Sequence, residues 1–299
     1  MNPTLVADSI RDRLSKYVAD HNLKALVLGV SGGVDSAVCA ALARPVCDLH
    51  GIDLVGRSIT IASNKRGEIT RAQLVGEAFC TDFKEIDLGD EFASLVKILI
   101  EDDEPGDLTH ERRVRRGNLK ARLRMIRLYD LASKHGGMVL STDNLTELLL
   151  GFWTICGDVG DYGMIQKLWK SEVYAVARSL CRAFEAEKRS DRSEALQACI
   201  AAVPTDGLGV TDSDLDQFGA SDYEEVERIL KTWLCQDEDA FAWDSWLRYE
   251  GRPETFKELL EERGRIADHP VVCRHVATAY KRDIPISIPR HDIDGLPDE

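Results

Sequence analysis

The sequence contains no paired cysteine motif, although eight cysteines occur among its 299 residues. They stand singly, at positions 39, 47, 80, 156, 181, 199, 235 and 273, and no C-x-x-C is present. This spacing indicates neither a zinc site nor a disulfide scaffold. It is typical of a protein from a reducing compartment, so we expect a cytoplasmic location.

Long apolar runs and an excess of basic residues are also missing. No stretch approaches the roughly 20 apolar residues that a transmembrane helix needs, and the first residues, Met1 to Thr4, lack a secretory pattern, so we expect no membrane partner. The sequence has 38 Lys and Arg residues and 52 Asp and Glu residues, which gives a formal net charge of −14. A nucleic-acid surface needs a basic footprint, so we expect no nucleic-acid partner. An anionic small molecule remains compatible, because a binding site concentrates positive charge locally.

The hydrophobic pattern alternates between strands and helices. Helices are predicted at 4–21, 65–80, 90–101 and from Gly117 to about Lys134, and strands before the glycines at 32 and 33 and at 52–61, 83–88 and 137–141. Strands separated by helices predict an α/β fold with a doubly wound parallel sheet, whose ligand lies at the carboxyl ends of the strands. We expect one domain over 1–299, with mobile loops near 101–112 and 204–219 and an additional helical segment near 235–270.

A Ser-Gly-Gly turn follows the first predicted strand and precedes a helix rich in small residues. Gly32 and Gly33 let backbone amides approach a ligand, and Ser31 and Ser36 add hydroxyl groups. Together with the positive end of the helix, these groups suit phosphate or pyrophosphate. Asp35 would repel a phosphate unless a divalent cation lay between them, which indicates Mg²⁺. The alternative is an ordinary strand, turn and helix.

Two further segments carry candidate ligand-binding groups. Asn118 and Arg122 lie one turn apart on one helix face, where an amide and a guanidinium together hold a sugar hydroxyl and a phosphate. Asp143 and Glu147 also share a face, near a predicted helix start, and the alternative for them is favourable capping charge. The arginines at 112, 113, 115 and 116 fit a solvated helix entry, with phosphate contact as the alternative.

The turn lacks the Gly-Lys-Ser/Thr of a Walker A loop and the G-x-G-x-x-G of dinucleotide folds. It resembles instead the S-G-G-x-D-S loop of the N-type ATP pyrophosphatases. That resemblance implies a Rossmann-like adenine nucleotide α-hydrolase fold and an ATP site at Gly29, Val30, Ser31, Gly32, Gly33, Val34, Asp35 and Ser36.

Within that superfamily the chain resembles the NAD synthetases. The N-[IVL]-K-A-R motif matches residues 118–122, and the pattern T-D-[NH]-x-x-E-x-x-x-G-[FY]-x-T-x-x-G-D matches Thr142 to Asp158. The segments at 168–170 and 204–208 resemble the L-[YTN]-K and P-[TS]-A-D-L motifs, the second imperfectly, and the segment ending at Pro285 resembles H-K-R-x-x-P.

The resemblance implies a role for each matching residue. Thr142, Lys170 and Thr205 would contact ATP, and Asp35 and Glu147 would hold Mg²⁺. Asn118, Arg122, Asp161 and Lys281 would bind deamido-NAD⁺. Catalysis would rest on Asp35 and Lys170. The implied reaction is ATP-dependent amidation of deamido-NAD⁺ by ammonia through an acyl-adenylate, releasing AMP and pyrophosphate, in a homodimer. No nitrilase-like segment precedes the motifs, so we expect free ammonia or a separate ammonia-supplying protein.

Two departures from the family pattern lie on the acceptor side. Ile155 stands where the family has a lysine, and Tyr280 stands where it has a histidine. One alternative is therefore an amide ligase of the same type that acts on a different carboxylate. The other alternative is a non-catalytic nucleotide-binding protein on the same fold.

Overall fold

The computed structural model describes residues 1–61, 64–100, 109–204, 214–235, 253 and 255–282. The strands form one sheet, β1 (Ala25–Gly29), β2 (Asp53–Thr60), β3 (Asp82–Asp87), β4 (Met138–Ser141) and β5 (Tyr162–Gly163). Every pairing is parallel, in the order β3-β2-β1-β4-β5. This confirms the predicted α/β fold with a doubly wound parallel sheet.

The helices occupy both sides of the sheet and one end of the molecule. The first eight are α1 (Pro3–Asp20), α2 (Val34–His50), α3 (Arg66–Phe79), α4 (Gly89–Leu99), α5 (His110–His135), α6 (Leu145–Leu150), α7 (Lys170–Ala186) and α8 (Ser190–Ile200). They are followed by α9 (Asp214–Phe218), α10 (Tyr223–Leu234), α11 (Phe256–Arg265), α12 (Pro270–Ala277) and a 3₁₀ turn (Ala279–Arg282). None of the helices described is both long and apolar enough to cross a membrane.

The central strand β1 is buried on both faces. Successive side chains of a strand point to opposite faces, so Leu26 and Leu28 join the core built on α2 and α7, while Ala25 and Val27 pack with Leu131 of α5. An apolar run without polar alternation is what a parallel strand covered on both faces requires. The core therefore fixes β1 and the loop that leaves it.

The strand order reverses at β1, which lies between β2 and β4. β1 continues into α2 and β4 continues into α6, and both connections leave the carboxyl end of the sheet. The register pairs Leu26 with Met138 and Val27 with Val139, so the two connections begin side by side. A crevice at such a switch point is where open α/β sheets bind ligands.

Two expectations from the sequence are wrong in detail. α5 begins at His110 and not at Gly117, because Thr109 caps the helix by accepting a hydrogen bond from Arg112 N at 3.3 Å. Gly117 is therefore inside the helix. No strand is predicted at Tyr162–Gly163, yet this pair forms an edge strand beside β4, because a strand of two residues has no periodicity that a sequence could show.

The segments expected to be mobile or helical are described only in part. Residues 101–108, 205–213 and 236–252 lie outside the described residues. The segment expected to be helical near 235–270 contains α11 and the first residue of α12.

Candidate functional site

The Ser-Gly-Gly loop (residues 30–33) is held by hydroxyl groups at the carboxyl end of β1. The Ser31 and Ser36 hydroxyls lie 3.1 Å apart, Ser31 N donates to Ser36 Oγ at 3.3 Å, and Gly33 N donates to Ser31 Oγ at 3.2 Å. Gly33 is the N-cap residue of α2, and no side chain makes a capping hydrogen bond there. The loop thus presents small residues at a helix N-terminus, an arrangement that attracts anions.

Gly32 has a backbone conformation that favours glycine. Its φ is +79°, and a Cβ at this position would lie 2.3 Å from the Glu68 carbonyl oxygen of α3. Arg71 Nε of the same helix donates to the Gly32 carbonyl at 2.8 Å. α3 therefore packs directly on the loop, and only a residue without a side chain fits between them.

Three charged side chains meet beside the loop, and we call them the ion triad: Asp35, Glu147 and Lys170. Lys170 Nζ lies 2.6 Å from Asp35 Oδ2 and 2.9 Å from Glu147 Oε1. The lysine side chain is 4% exposed and the two acids 14% and 16%, so water screens these contacts little. The triad joins the N-termini of α2, α6 and α7.

Asn144 orients both acids of the ion triad. Its Nδ2 donates to Asp35 Oδ1 at 2.9 Å, and its backbone N donates to Glu147 Oε2 at 3.2 Å. Its Oδ1 in turn accepts from Glu147 N at 3.1 Å, which completes a capping box at the start of α6. Asn144 is not among the site residues predicted from the sequence. The spacing Asn-x-x-Glu before an apolar run is the signal that would have found it.

Burial and neighbouring charges shift the pKa values of Glu147 and Lys170 in the ion triad. Burial raises the pKa of Glu147 to about 7, opposed by Lys170 and reinforced by Asp35. Burial alone would lower the pKa of Lys170, but Asp35 and Glu147 hold it well above its usual value, so the ammonium stays charged. Burial also raises the pKa of Asp143, helped by Asp158 and Glu147, although Ser141 Oγ donates to its carboxylate at 2.9 Å.

A first cavity opens over the Ser-Gly-Gly loop, with a volume of about 290 Å³. A single water needs only about 10–15 Å³ on the same measure, so the cavity suits a ligand of many atoms. Residues of the sequence-predicted ATP site line it, together with the predicted metal ligand Glu147: Gly29, Val30, Ser31, Gly33, Val34, Asp35, Ser36, Thr142 and Lys170. Gly32 lies behind the loop against α3, and Thr205 lies outside the described residues.

A second cavity of about 190 Å³ adjoins the first, and Phe152 and Asp158 line both. Two of the residues predicted to bind the acceptor, Asn118 and Lys281, line the second cavity. Asn118 Oδ1 accepts from Thr154 Oγ1 at 2.9 Å, and Lys281 Nζ donates to the Gly151 carbonyl at 2.7 Å. Both residues thus hold the segment between α6 and Asp158.

The other two predicted acceptor residues lie apart from these. Arg122 Nε donates to the Ile155 carbonyl at 3.3 Å, on the outer side of the same segment. Asp161 accepts from Tyr129 Oη and from Val139 N, each at 2.9 Å, at the edge of the sheet. Neither side chain lines a cavity described here, although Tyr129 lines the first.

Arg124 lines the first cavity and was not selected from the sequence. It is half-buried, and its Nε donates to the Ile59 carbonyl at 3.1 Å while its Nη2 donates to Asn64 Oδ1 at 3.2 Å. Burial lowers its pKa, opposed by Asp158 and Glu68. Residues two apart on a helix point to different sides, so Arg122 and Arg124 cannot share a cavity. The apolar face of α5 through Ala121 and Leu128 is the signal that assigns Arg124 inward.

Comparisons with known proteins were made on sequence and on structure. A sequence profile of the NAD synthase family matches residues 6–244. The NH₃-dependent NAD⁺ synthetase of Chlorobium phaeovibrioides is 31% identical over 257 residues, which cover 86% of this chain and 82% of that protein. The corresponding protein of Thermoplasma acidophilum is 29% identical, over 89% of this chain and 90% of its own length.

Two solved structures share the fold. NMN synthetase from Francisella tularensis superposes with a TM-score of 0.71 at 21% identity, covering 96% of this chain and 99% of that one. NH₃-dependent NAD synthetase from Campylobacter jejuni superposes with a TM-score of 0.64, also at 21% identity, covering 97% and 100%. At 21% identity, these similarities show a shared fold.

Proposed function

This chain belongs to the NAD synthase family, and from that premise we propose that it makes NAD⁺ by ATP-dependent amidation of deamido-NAD⁺ with ammonia. The observation that carries the proposal is the ion triad at the Ser-Gly-Gly loop, where Asp35, Glu147 and Lys170 meet at the floor of one cavity. Binding of a nucleotide alone does not require two acids and a buried lysine at the phosphate end of the site.

The reaction proceeds in two substitutions between substrates. A nicotinate carboxylate oxygen of deamido-NAD⁺ attacks the α-phosphorus of ATP, and the bond to the β-phosphate oxygen breaks to release pyrophosphate. The nitrogen of ammonia then attacks the carbonyl carbon of the acyl-adenylate, AMP leaves with the bonding electron pair, and the nitrogen loses a proton. Neither step needs a nucleophile from the protein, so catalysis rests on positioning and charge stabilisation.

The residues of the first cavity supply these two effects. Lys170 remains protonated, and it would neutralise charge that develops on the departing pyrophosphate. The amides of the Ser-Gly-Gly loop and the N-terminus of α2 would hold phosphate oxygens without reorganising. Asn144 keeps the two acids of the ion triad in place while the substrates change.

The donor set fits Mg²⁺. Two carboxylates from the first turns of separate helices, Asp35 and Glu147, lie within hydrogen-bonding distance of a single cationic group. Mg²⁺ in nucleotide sites typically takes one or two carboxylates and completes its shell with phosphate oxygens and water. The residues described contain no cluster of three or more metal-binding side chains, so those further ligands would come from ATP and solvent. When bound, the ion would polarise phosphate oxygens and screen their charge.

The acceptor would occupy the second cavity, where Asn118 and Lys281 lie. A second candidate substrate is nicotinic acid mononucleotide, whose amidation gives NMN. The two departures from the family pattern motivate this candidate: Ile155, whose backbone carbonyl accepts from Arg122 Nε, stands in place of a lysine, and Tyr280, 51% exposed, stands in place of a histidine. Both changes affect the acceptor side and leave the ion triad complete.

A homodimer and a cytoplasmic location complete the proposal. The homodimer is proposed from the family to which the chain belongs. None of the eight cysteines forms a disulfide, which supports a reducing compartment. Ammonia would be used free or taken from a separate supplying protein.

We expect the purified protein with ATP, Mg²⁺, ammonium chloride and deamido-NAD⁺ to yield AMP, pyrophosphate and NAD⁺ in equal amounts. A parallel reaction offers nicotinic acid mononucleotide in place of deamido-NAD⁺, with both products followed by liquid chromatography. Faster turnover of the mononucleotide would select the second candidate. ATP binding without AMP formation from either carboxylate would contradict an amide ligase and favour a nucleotide-binding protein.

Arg124 and Arg122 form a matched pair, because Arg124 lines the first cavity while Arg122 donates to the Ile155 carbonyl on the outer side of the segment that borders the second. We expect Arg124→Met to weaken ATP binding by about tenfold to a hundredfold, since a charged hydrogen bond contributes about 1.5–3 kcal/mol. Arg122→Met should leave ATP binding unchanged and raise the KM for the acceptor. Isothermal titration with ATP and steady-state kinetics measure the two effects. The reverse pattern would show that the inner and outer faces of α5 have been wrongly assigned.

A further inference from the structure

The helix α10 packs one of its faces against the first turn of α7, the turn that carries Lys170. Tyr223, Glu227 and Lys231 are spaced by four residues and therefore lie on one face of α10. Lys231 Nζ lies 5.2 Å from the Trp169 ring, and Lys170 Nζ lies 5.3 Å from the Tyr223 ring. The face thus touches the residues on both sides of the α7 N-terminus.

Glu227 is fully buried at this contact. Its Oε1 accepts from Ser171 N at 2.8 Å and from Thr146 Oγ1 at 3.5 Å, and its Oε2 accepts from Ser171 Oγ at 2.5 Å. Thr146 Oγ1 also accepts from Lys170 N at 3.0 Å. One carboxylate from α10 therefore ties together the starts of α6 and α7, which hold Glu147 and Lys170.

A carboxylate at this buried position costs free energy that an apolar side chain would not. Removing a charge from water costs free energy, and apolar residues of similar size often replace buried ionic groups without loss of stability. What a carboxylate adds is direction, since it accepts several hydrogen bonds and favours the positive end of a helix. In this chain those hydrogen bonds end on the turn that carries the lysine of the ion triad.

We infer that Glu227 is a positioning residue for Lys170, acting through Ser171 and Thr146, with Tyr223 on the same face of α10 as a second support. Without the carboxylate, Ser171 N and Oγ lose their acceptor and the first turn of α7 relaxes. Lys170 Nζ then moves relative to Asp35 and Glu147. This inference rests on the proposed function insofar as Lys170 is taken to contact the phosphates of ATP.

The test is a double-mutant cycle on ATP binding, measured by isothermal titration on the full chain. We expect Glu227→Gln to raise the Kd for ATP by about tenfold, and Lys170→Met to raise it by at least as much. In the Lys170→Met background, Glu227→Gln should add less than about twofold, because its effect passes through the missing ammonium. Glu224→Gln, on the exposed side of the same helix, is the matched control and should leave the Kd unchanged.

A purely structural role for Glu227 would give a different result. Loss of folded protein lowers the number of binding sites per chain but leaves the Kd of the remaining sites unchanged, and it acts equally in both backgrounds. An unchanged Kd in Glu227→Gln would overturn the inference, and so would an equal effect of Glu227→Gln with and without Lys170→Met. If Glu227→Gln yields no folded protein, Ser171→Ala removes one partner of the same carboxylate, and the inference requires a smaller rise in Kd that disappears with Lys170→Met.

The cycle also separates this inference from the proposed function. Coupling between Glu227 and Lys170 in ATP binding, together with no amidation of deamido-NAD⁺, would uphold the positioning role and contradict the proposed acceptor. NAD⁺ synthesis with no coupling would uphold the function and contradict the positioning role.

Discussion

Asp35→Asn should abolish most NAD⁺ synthesis while the fold and nucleotide binding persist. The substitution keeps the shape of the side chain and removes one of the two charges that face Lys170 Nζ, 2.6 Å away. It also lowers the pKa of Glu147, because the charge of Asp35 contributes to raising it. A site that stabilises charge by fixed groups loses about 10²–10³ in rate when one group is removed. Steady-state formation of AMP and NAD⁺ measures the loss.

The matched control for this change is Asp48→Asn, on the same helix. Asp48 forms an exposed ion pair with Arg44 at 2.8 Å, and exposed pairs four residues apart on a helix contribute only about 0.3–0.5 kcal/mol. The activity and the midpoint of thermal unfolding of Asp48→Asn should match those of the unchanged protein. Full activity in Asp35→Asn would contradict a catalytic role for the ion triad, and loss of ATP binding in that variant would show that Asp35 acts in binding ATP and not in the chemical step.

The fold and the Ser-Gly-Gly loop could be predicted from the sequence because both depend on residues that are close together along the chain. The apolar run of β1 and the glycines that follow it are contiguous, and the loop geometry depends on Gly32 and on neighbours up to Ser36. The alternation of strands and helices is likewise a local pattern, and it was sufficient for the doubly wound sheet. The start of α5 was misplaced since a capping threonine was overlooked in favour of a later glycine.

The contacts within the site depend on tertiary packing, which the sequence did not supply. Lys170 was selected by resemblance as a phosphate ligand, but its pairing with Asp35 joins residues 135 positions apart. Arg124 is not among the predicted residues: the apolar face of α5 through Ala121 and Leu128 marks its side of the helix as inward, but its partners Ile59 and Asn64 belong to other parts of the chain. Glu227 could not be predicted for the same reason. Its partners Ser171 and Thr146 belong to two other helices, so the sequence indicates neither its burial nor its function.

Gly32→Ala should damage both stability and activity more than any other single methyl group added to the loop. The new Cβ would lie 2.3 Å from the Glu68 carbonyl, and a left-handed conformation costs a residue with a side chain about 1–2 kcal/mol before any clash. The clash with the Glu68 carbonyl is relieved only if α3 or the loop moves. A displacement of about 1 Å at a reacting centre costs about a hundredfold in rate. We expect a midpoint of unfolding lower by several degrees and a kcat reduced by about that factor.

Gly33→Ala distinguishes the need for glycine at position 32 from a general intolerance of the loop to side chains. Gly33 has φ −89° and ψ 161°, an extended conformation open to any residue, and its Cβ would meet only Ser31 Oγ at 3.4 Å, an ordinary contact. Its midpoint of unfolding should stay close to that of the unchanged protein. Equal destabilisation of both variants would show that α3 does not set the shape of the loop, and the loop would then owe its form to the hydroxyl groups of Ser31 and Ser36 alone.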